Sequence, residues 1–368
     1  MIIVIFHLVI ARLDAMQVKK NAILKYGKTS EPFLLLYDGY RVKNKGTYID
    51  GRYVKVSSNL GLSTAIGAAH SVFPITPEMK DRVGLFGIRG ASNQQVSMKI
   101  NDQLHHFIAD ERGRIQTFVK AQIISAEPLA ADKAPNMPSM NRLDIYDLNK
   151  EKLVITDIDD TIKKSHTSNG LTAVKHIFTQ PALPFEDAKV QLRELAVNHD
   201  IFYLSASFSH TYPMIKDFLN KNYPPGPLSL RTFNIFNKVD KDVASYKFNK
   251  ISEILENTNH KQILLNGDST QVDGEAYGRV YAAYKDKKDI KIKIRIVKAE
   301  QKVLVERMLG KYMDIKKAKI DGSLRFIEPI EIKSDRGLGQ KSLQPLIPEI
   351  GNPRSCALVN ALCPAENS

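Results

Sequence analysis

The sequence predicts an α/β protein in which a parallel, doubly wound sheet follows a smaller, β-sandwich-like N-terminal domain. Two patterns carry this prediction. From about residue 150, short apolar runs alternate with stretches of helical periodicity, as strands and crossover helices do in a parallel sheet. Before that point, short runs of alternating hydrophobicity are separated by turn residues, which is typical of sandwiches and small barrels.

Length, composition and charge limit the class of protein. With 368 residues the chain is long for a single hydrophobic core, so two domains are expected. Hydrophobic residues make up 43% and charged residues 25%, as in ordinary globular proteins, and no tract is long enough to span a membrane. The net charge of +13 favours an anionic partner, which leaves phospholipid surfaces, phosphorylated metabolites and nucleic acids open.

The two ends of the chain bear on localisation. Residues 1–11 are apolar but lack a basic flank, so a buried first strand, a start at Met16 and a weak signal peptide all stay open. Cys356 and Cys363 lie in the tail without partners at metal-ligand spacing, which suits a reducing compartment. We expect a cytoplasmic protein, with peripheral membrane binding and export through the apolar N-terminus as alternatives.

Residues 17–130 are predicted to form the β-rich accessory domain, and residues 131–148, rich in Ala, Pro and Asn, the linker. Asp38-Gly39 predicts a turn, and residues 110–113 predict the loop of a hairpin. No residue pattern here indicates catalysis, so we expect a scaffold or accessory binding role. Apolar or alternating runs predict strands at residues 33–37, 47–56, 83–88, 96–100, 104–108 and 115–119.

Residues 149–315 are predicted to form the catalytic domain, and residues 316–368 a partly disordered extension. The segment 290–297 alternates Ile with Lys or Arg, which predicts an edge or half-exposed strand. The predicted strands are residues 153–155, 201–204, 228–233, 262–265 and 290–297. The predicted helices are residues 185–197, 212–219, 246–255, 273–284 and 303–313.

Polar side chains follow three of these strands. Parallel strands place their carboxyl ends at one edge of the sheet, so the side chains are expected to converge there. Carboxylates, hydroxyls and a lysine together suit phosphoryl transfer, in which a hard cation such as Mg²⁺ offsets repulsion between carboxylates and a phosphate dianion. The converging residues are Asp157, Asp159, Ser205, Ser207, Asp268 and Asp273, with Lys247 at the start of a helix.

Several motifs resemble those of a known family. They are ITDIDDTIKKS, FYLSAS, PPGPLSLR, SYKFNKI and ILLNGDSTQVD, with YDGYRV, IDGRYVKV and ADERGRIQ in the first half. In order and spacing they resemble the haloacid-dehalogenase superfamily, and within it the actin-patch-associated phosphatidate phosphatases and their bacterial relatives. The resemblance covers about residues 25–297. It implies a haloacid-dehalogenase-like Rossmannoid sheet and Mg²⁺-dependent hydrolysis of phosphatidate to diacylglycerol and phosphate.

The resemblance also implies catalytic roles. Asp157 would attack phosphorus and form an aspartyl-phosphate, and Asp159 would protonate the leaving oxygen and later activate water. Ser205 would donate a hydrogen bond to a phosphoryl oxygen. Lys247 would neutralise charge on the phosphate and the nucleophile, with Lys250 on the same helix as the competing candidate.

Metal and substrate ligands are implied in the same way. Asp157, Asp268 and the backbone carbonyl of Asp159 would hold Mg²⁺, with Asp273 as an additional or outer carboxylate. The candidate substrate-binding residues are Thr161, Ser207 and Arg231.

Three functional hypotheses stay open at this point. The first is a phosphatase acting on phosphatidate at a membrane surface, and the second is a phosphatase with the same chemistry on a soluble phosphorylated metabolite or phosphoprotein. The third is a basic lipid-binding module with an inactive catalytic half; nucleic acid is not the expected partner because no nucleic-acid-binding motif is present. Phe208-Ser209 and Gly274 replace the Pro-Trp and Pro that the family usually carries, which puts the substrate in doubt more than the reaction.

Overall fold

The structure, a computed structural model, describes residues 32–56, 88–134, 138–165, 182–231, 242–270 and 272–328. The apolar N-terminus, the choice between Met1 and Met16, both cysteines and the end of the C-terminal extension lie outside these residues. The described residues all belong to one compact unit of the chain. Among them, no helix combines the length and hydropathy that crossing a membrane requires.

Among the described residues, nine strands precede the parallel sheet and form two sheets. β-Branched and aromatic residues, which favour strands, recur along most of them. The strands are β1 (Phe33–Leu36), β2 (Asp38–Val42), β3 (Gly46–Val56), β4 (Ile88–Gly90), β5 (Gln95–Ile100), β6 (Gln103–Ile108), β7 (Arg114–Val119), β8 (Ala126–Pro128) and β9 (Asp144–Asp147).

The long strand β3 organises the first of these sheets. It pairs antiparallel with β1, β2, β4 and β7, and β2 also pairs with β9 in parallel. The second sheet has the order β6-β5-β8, and Asn101 and Asp102, both with positive φ, form the tight turn between β5 and β6. A sandwich arrangement of these sheets and the predicted domain boundaries stay predictions.

Two local interpretations from the sequence are wrong. Residues 110–113 do form a turn, but it joins β6 to β7, which belong to different sheets, so there is no hairpin. Asp38-Gly39 lies in strand β2 and not in a turn. The glycine is required there by close packing, since a Cβ at Gly39 would lie 2.6 Å from the carbonyl oxygen of Tyr48.

A six-stranded parallel sheet forms the rest of the fold. Its order is β14-β13-β10-β15-β16-β17, so the strands run 3-2-1-4-5-6 in chain order, as in doubly wound α/β proteins. The strands are β10 (Lys152–Thr156), β13 (His199–Phe208), β14 (Leu228–Arg231), β15 (Gln262–Asp268), β16 (Asp289–Arg295) and β17 (Leu324–Ile327). Between β10 and β13, the short strands β11 (Lys163–Lys164) and β12 (Leu183–Pro184) pair with each other.

Helices connect these strands, and all but the last of those described lie at predicted places; the last, Ile315–Ile320, was not predicted. They are α1 (Glu186–Ala196), α2 (Tyr212–Asn222), α3 (Val243–Asn257), α4 (Asp273–Tyr284), α5 (Gln301–Leu309) and α6 (Ile315–Ile320). Short 3₁₀ turns occur at Ala130–Asp132, Pro138–Met140 and Ser209–Thr211. The mixed α/β class with a parallel sheet is therefore confirmed.

The prediction that β16 is an edge or half-exposed strand is wrong. β16 lies between β15 and β17, and its residues Lys293 and Arg295 are only 8% and 7% exposed. The alternation of Ile with basic residues arises because the isoleucines face a hydrophobic core while the basic side chains face polar partners on the other side of the sheet.

The N-terminal strands pack directly on the parallel sheet. Tyr40 of β2 meets Phe202 of β13 edge to face, with 5.6 Å between the ring centroids. On another surface, Phe33 and Leu35 of β1 share a hydrophobic cluster with Ile215 of α2. Burial of such side chains contributes roughly 2 kcal/mol each, so the parallel sheet is stabilised in part by strands that precede it.

A buried ion pair joins the same two parts. Nζ of Lys216 on α2 lies 2.8 and 2.6 Å from the two carboxylate oxygens of Asp38 on β2. Tyr212 and the backbone N–H of Leu228 also donate to this carboxylate. Burial raises the pKa of Asp38 to about 6, although Lys216 and the hydrogen bonds oppose the rise.

Removing the lysine from this pair tests the interaction. We expect Lys216→Met to lower the free energy of unfolding by about 3 kcal/mol near pH 7, because an unpaired carboxylate stays buried. The pKa of Asp38 in the folded variant then rises further above its unfolded value of 3.8. The folded variant binds a proton that the unfolded chain releases, so its deficit shrinks as the pH falls toward about 5.

Urea denaturation at both pH values measures this effect. Lys221→Met on the same helix is the matched control, since Lys221 and its partner Asp217 are largely exposed and such pairs contribute at most about 1 kcal/mol. An equal deficit at both pH values would contradict the assignment of the effect to Asp38.

Candidate active site

The acidic turn lies at the switch point of the parallel sheet. β10 ends at Thr156, and the backbone N–H of the next residue, Asp157, donates to the Asn266 carbonyl on β15 at 2.8 Å. β13 and β14 lie on one side of β10, and β15, β16 and β17 on the other. Doubly wound sheets bind ligands in the crevice that opens at such a point. The fold thus brings Asp157 beside Asp268, the last residue of β15.

A buried ammonium group lies among three carboxylates at this point. Nζ of Lys247 on α3 lies 2.7 Å from Oδ1 of Asp157 and also donates to Oδ1 of Asp273 at the start of α4. Carboxylate oxygens of Asp157, Asp268 and Asp273 lie within 4.8 Å of one another. All four residues are at most 1% exposed. One ammonium facing three carboxylates leaves negative charge that another cation can neutralise.

Gly267 makes the approach of Asp273 possible. A Cβ at this glycine would lie 2.3 Å from Oδ2 of Asp273, so any side chain would push the carboxylate away. With glycine in place, this oxygen accepts the backbone N–H of Asp268 at 3.1 Å. The Gly-Asp pair at the end of β15 thus positions two carboxylates through one close backbone approach.

Burial controls the protonation of this cluster. It raises the pKa of Asp157 to about 7, with Lys247 opposing the rise and Asp273 adding to it. Burial and the neighbouring carboxylates raise the pKa of Asp268 well above its usual value. For Lys247 burial alone would lower the pKa, but the three carboxylates outweigh it and raise the pKa. The ammonium is therefore charged at any physiological pH.

One of the two carboxylate oxygens of Asp268 lacks a hydrogen-bond partner among the described residues. Oδ1 accepts hydrogen bonds from the backbone N–H and the hydroxyl of Thr270. Oδ2 is buried and has no hydrogen-bond partner among the described residues. A buried carboxylate oxygen without a partner is costly, and it lies in the same cluster as the carboxylates of Asp157 and Asp273. The three residues therefore fit a hard divalent cation, which prefers oxygen ligands.

The carboxylate of Asp159 lies in a different environment from this cluster. Oδ1 accepts from the Ser165 hydroxyl and from Nζ of Lys163, both at 2.6 Å. Oδ2 accepts from the Ser207 hydroxyl at 2.7 Å and, at 3.4 Å, from that of Ser205. Burial alone would raise the pKa of Asp159, but Lys163 and the hydroxyl groups lower it to about 2. The structure thus brings Asp159 together with both predicted serines.

The chain folds back within the acidic turn. Asp160 has a φ of 57°, and the N–H of Ile162 donates to the Ile158 carbonyl at 3.0 Å, which closes a single helical turn. An aspartate tolerates the left-handed region better than most residues. The turn directs the Thr161 hydroxyl to Oδ2 of Asp157 at 3.2 Å. Thr161 is therefore next to the predicted nucleophile.

The remaining predicted residues lie in two places. Nε of Arg231 donates to the Ala206 carbonyl at 3.2 Å, and its guanidinium lies over the ring of Phe208, so it flanks the end of β13. Lys250 points away from the carboxylate cluster and donates to the Tyr48 hydroxyl of β3 and to Glu253. Between the two competing lysines, it is Lys247 that contacts Asp157.

Sequence reasoning missed three residues that shape the site. Lys163 and Ser165 lie at the end of the quoted ITDIDDTIKKS motif but were given no role, and their spacing along a turn was the available signal. Arg295 of β16 gave no signal, because it was assigned to an edge or half-exposed strand. Its Nε donates to the Thr161 carbonyl at 2.9 Å and its Nη2 contacts Asp187 at 2.6 Å. The guanidinium also lies 4.3 Å from the ring centroid of Phe185.

These residues lie in a segment with known relatives. Residues 152–296 match the family model described as phosphatidate phosphatase APP1, catalytic domain. Over 131 residues the chain is 31% identical to the phosphatidate phosphatase APP1 of Saccharomyces cerevisiae, a match that covers 34% of this chain and 22% of that protein. The chain therefore spans much less than the length of this relative.

The segment that carries the carboxylate cluster at the switch point of the sheet is therefore similar to phosphatase hydrolases. Within that class, residues 152–296 resemble the catalytic domain of the phosphatidate phosphatase APP1, and this match covers less than half of the chain. A solved structure, that of XAC1771, a novel carbohydrate acetylesterase from Xanthomonas citri, is similar at 10% identity and a TM-score of 0.25, over 82% of this chain and 69% of that chain. So low a similarity carries no conclusion about fold or activity.

The contacts of Arg295 predict a specific loss of stability. We expect Arg295→Met to lower the free energy of unfolding by about 3 kcal/mol, because it leaves the buried Thr161 carbonyl unsatisfied and removes the charged partner of Asp187. Arg295→Lys should lose less, since an ammonium can keep one of the two contacts. Denaturant unfolding measures both, and Lys298→Met, an exposed change three residues on, should stay within about 0.5 kcal/mol of the wild type. A loss no larger than that of the control would contradict the role given to the guanidinium.

Proposed function

We propose that this protein is a Mg²⁺-dependent phosphomonoester phosphatase that acts through an aspartyl-phosphate on Asp157, with phosphatidate as its substrate and diacylglycerol and phosphate as products. The observation that supports it most is the buried group of Asp157, Asp268 and Asp273 around Lys247, located within the segment that matches the phosphatase family. The substrate rests on the name of the yeast relative.

The proposed metal site consists of Asp157, Asp268 and Asp273, with the backbone carbonyl of Asp159 as a further candidate ligand. The chemistry of the donors fits Mg²⁺, which takes oxygen ligands and keeps several waters. The buried, unpartnered Oδ2 of Asp268 supports this assignment. When bound, the cation would offset the repulsion between these carboxylates and a phosphate dianion.

Asp157 is the proposed nucleophile. Its Oδ1 accepts a hydrogen bond from Lys247 at 2.7 Å, whereas among the described residues Oδ2 accepts only the longer one from Thr161, so Oδ2 is the oxygen proposed to attack phosphorus. As the Oδ2–P bond forms, the bond from phosphorus to the glycerol oxygen breaks and that oxygen takes a proton. Water then attacks phosphorus, which releases phosphate and restores the Asp157 carboxylate.

Asp159 is the proposed acid and base of these two steps. It gives its proton to the leaving oxygen in the first step and takes one from water in the second. In the present arrangement it is an ionised carboxylate bound to Lys163 and Ser165, which is the form that the second step needs. The first step requires a protonated Asp159, so the contact with Lys163 has to be exchanged before the leaving oxygen departs.

Hydroxyl and cationic groups surround the position of the phosphate in this proposal. Lys247 neutralises charge on Asp157, and the hydroxyls of Ser205 and Ser207 are within reach of Asp159 and of a phosphoryl oxygen next to it. Thr161 lies beside the nucleophile. Arg231, at the end of β14, is the proposed contact for an anionic head group outside the reaction centre.

Two alternatives share part of this reasoning. A phosphatase for a soluble phosphorylated metabolite or phosphoprotein would use the same residues. A basic lipid-binding module with an inactive catalytic half would not need the cluster around Lys247, which speaks against it. The net charge of +13 favours a peripheral position at an anionic membrane surface within the cytoplasm for the phosphatidate reaction.

Loss of the nucleophile tests the reaction. We expect Asp157→Asn to lower kcat for phosphate release from phosphatidate vesicles at least about a thousandfold, because an amide oxygen is a poor nucleophile. Phosphate release measured against time in the presence of Mg²⁺ provides the readout. Phosphate release by the variant at the wild-type rate would overturn the enzymatic proposal.

Two comparisons sharpen this experiment. Asp217→Asn, an exposed change on α2, is the matched control and should keep full activity. A panel of soluble phosphomonoesters, assayed beside the vesicles, separates the substrates. A kcat/KM higher for a soluble compound than for phosphatidate would replace phosphatidate as the proposed substrate without changing the chemistry.

The metal assignment makes a prediction that needs no turnover. Without divalent cations, we expect Asp268→Asn to raise the free energy of unfolding by about 1–2 kcal/mol, because it removes one of three mutually repelling carboxylates. With Mg²⁺ the order reverses, since the wild type gains stability by binding and the variant does not. Thermal unfolding with EDTA and with Mg²⁺ measures both, with Asp217→Asn as control. An equal gain from Mg²⁺ in Asp268→Asn would place the cation elsewhere.

A further inference from the structure

A row of basic side chains lies on one face of the parallel sheet, beside the site. Lys291, Lys293 and Arg295 alternate along β16, so their side chains leave the sheet on the same face, about 6.6 Å apart. Arg325 of β17 is in register with Lys293 in the parallel ladder. Four cationic residues thus occupy neighbouring positions on two adjacent strands.

Among the described residues, Arg295 alone of these four has a carboxylate partner. Arg295 contacts Asp187 and the Thr161 carbonyl, as described above. Nζ of Lys293 contacts the amide oxygen of Gln191 on α1, a neutral group. In the part of the chain that the structure describes, no carboxylate forms an ion pair with Lys291, Lys293 or Arg325. The row therefore carries an excess of positive charge.

Among these residues, Lys293 has the least favourable environment for a charged side chain. The residue is 8% exposed, although lysines are almost never buried unless they are paired with an acid. Its in-register neighbour Arg325 carries the same charge, and like charges at opposed positions in a sheet are destabilising. Burial, followed by the charges of Arg325 and Arg295, lowers the pKa of Lys293 to about 8.

A purely structural role for Lys293 accounts for part of its burial. Lys293 is largely buried, and the amide oxygen of Gln191 on α1 accepts one hydrogen bond from its ammonium group. An ammonium has three donors, however, and one amide oxygen satisfies one of them. A structural role also does not explain why the exposed positions next to the buried ammonium carry the cations Arg325 and Lys291, since a neutral polar residue would fit there equally well.

We propose that Lys291, Lys293 and Arg325 form a second anion site, which binds a phosphate group other than the one that reacts at Asp157. A guanidinium offers two parallel N–H donors that match phosphate oxygens, and the ammonium groups add compact positive charge. The ligand can be a free phosphate or the phosphodiester of an anionic lipid head group, since both offer the same oxygens. The site lies next to the acidic turn, because Arg295 in the same row holds the Thr161 carbonyl.

The first test uses inorganic phosphate in the presence of EDTA. Under this condition the carboxylate cluster repels phosphate, so binding does not depend on catalysis or on the proposed metal site. We expect Arg325→Gln and Lys293→Met each to weaken binding about fivefold and the double variant about twentyfold, as measured by equilibrium dialysis with labelled phosphate. Lys287→Gln, an exposed lysine before β16, is the matched control and should bind as the wild type does.

The second test separates the two sources of the phosphate group. Vesicles of phosphatidylcholine with phosphatidylserine offer phosphodiesters on an anionic surface and contain no phosphomonoester. Weaker vesicle binding by Arg325→Gln, relative to Lys287→Gln, assigns the site to lipid head groups. Weaker dialysis binding with unchanged vesicle binding assigns it to free phosphate. Arg325 is exposed, so its variant reports on the site even where Lys293→Met does not fold.

The proposal is overturned when neither measurement distinguishes Arg325→Gln and the double variant from Lys287→Gln. This outcome leaves the phosphatase proposal untouched, because no step of the experiment involves turnover. Conversely, if the wild-type protein binds phosphate in EDTA as expected but does not hydrolyse phosphatidate, only the catalytic proposal is contradicted.

Discussion

The arrangement around Lys247 constrains the rest of the site. A single buried ammonium contacts Asp157 and Asp273 and cannot neutralise a third carboxylate as well. The carboxylate that lacks a compensating charge is that of Asp268. Its Oδ2 has no hydrogen-bond partner among the described residues, and its pKa is raised by burial and by the neighbouring carboxylates. Protonation of Asp268 or a divalent cation can offset this charge, and the proposed reaction uses the cation. The cluster therefore has an excess of negative charge that a bound cation can neutralise.

The location of this cluster could be predicted from the sequence because it depends on strand ends. Asp157 and Asp268 follow apolar runs that indicate buried strands, and parallel strands bring their carboxyl ends to one edge. The helices between them were also predictable, since their apolar residues recur at helical spacing. The choice of Lys247 over Lys250 came from the family resemblance. In the structure, their separation by three positions along α3 directs one ammonium toward Asp157 and the other toward Tyr48.

What the sequence could not reveal depends on contacts between distant residues. Arg295 bonds to a carbonyl 134 positions earlier, and no local pattern indicates such a pairing. β16 looked exposed because the strand that covers its edge, β17, follows two further helices and has only four residues. The environment of Asp159 was visible only in part: Ser205 and Ser207 of β13, 46 and 48 residues away, were expected near it, whereas its contacts with Lys163 and Ser165 were not. Site residues are visible in a sequence, whereas the residues that position them mostly are not.

The N-terminal strands take part in this positioning. Arg114 of β7 is buried, pairs with Asp50 of β3 at 2.7 Å, and donates from Nη1 to the Leu230 carbonyl on β14 at 2.9 Å. A guanidinium fixed by a carboxylate is a rigid donor, so it fixes the end of β14 immediately before Arg231. The family match begins at residue 152 and excludes Arg114 and Asp50. A fragment cut at that boundary would keep every proposed catalytic residue and lose the contact that holds the end of β14, so the site depends on more of the chain than its motifs indicate.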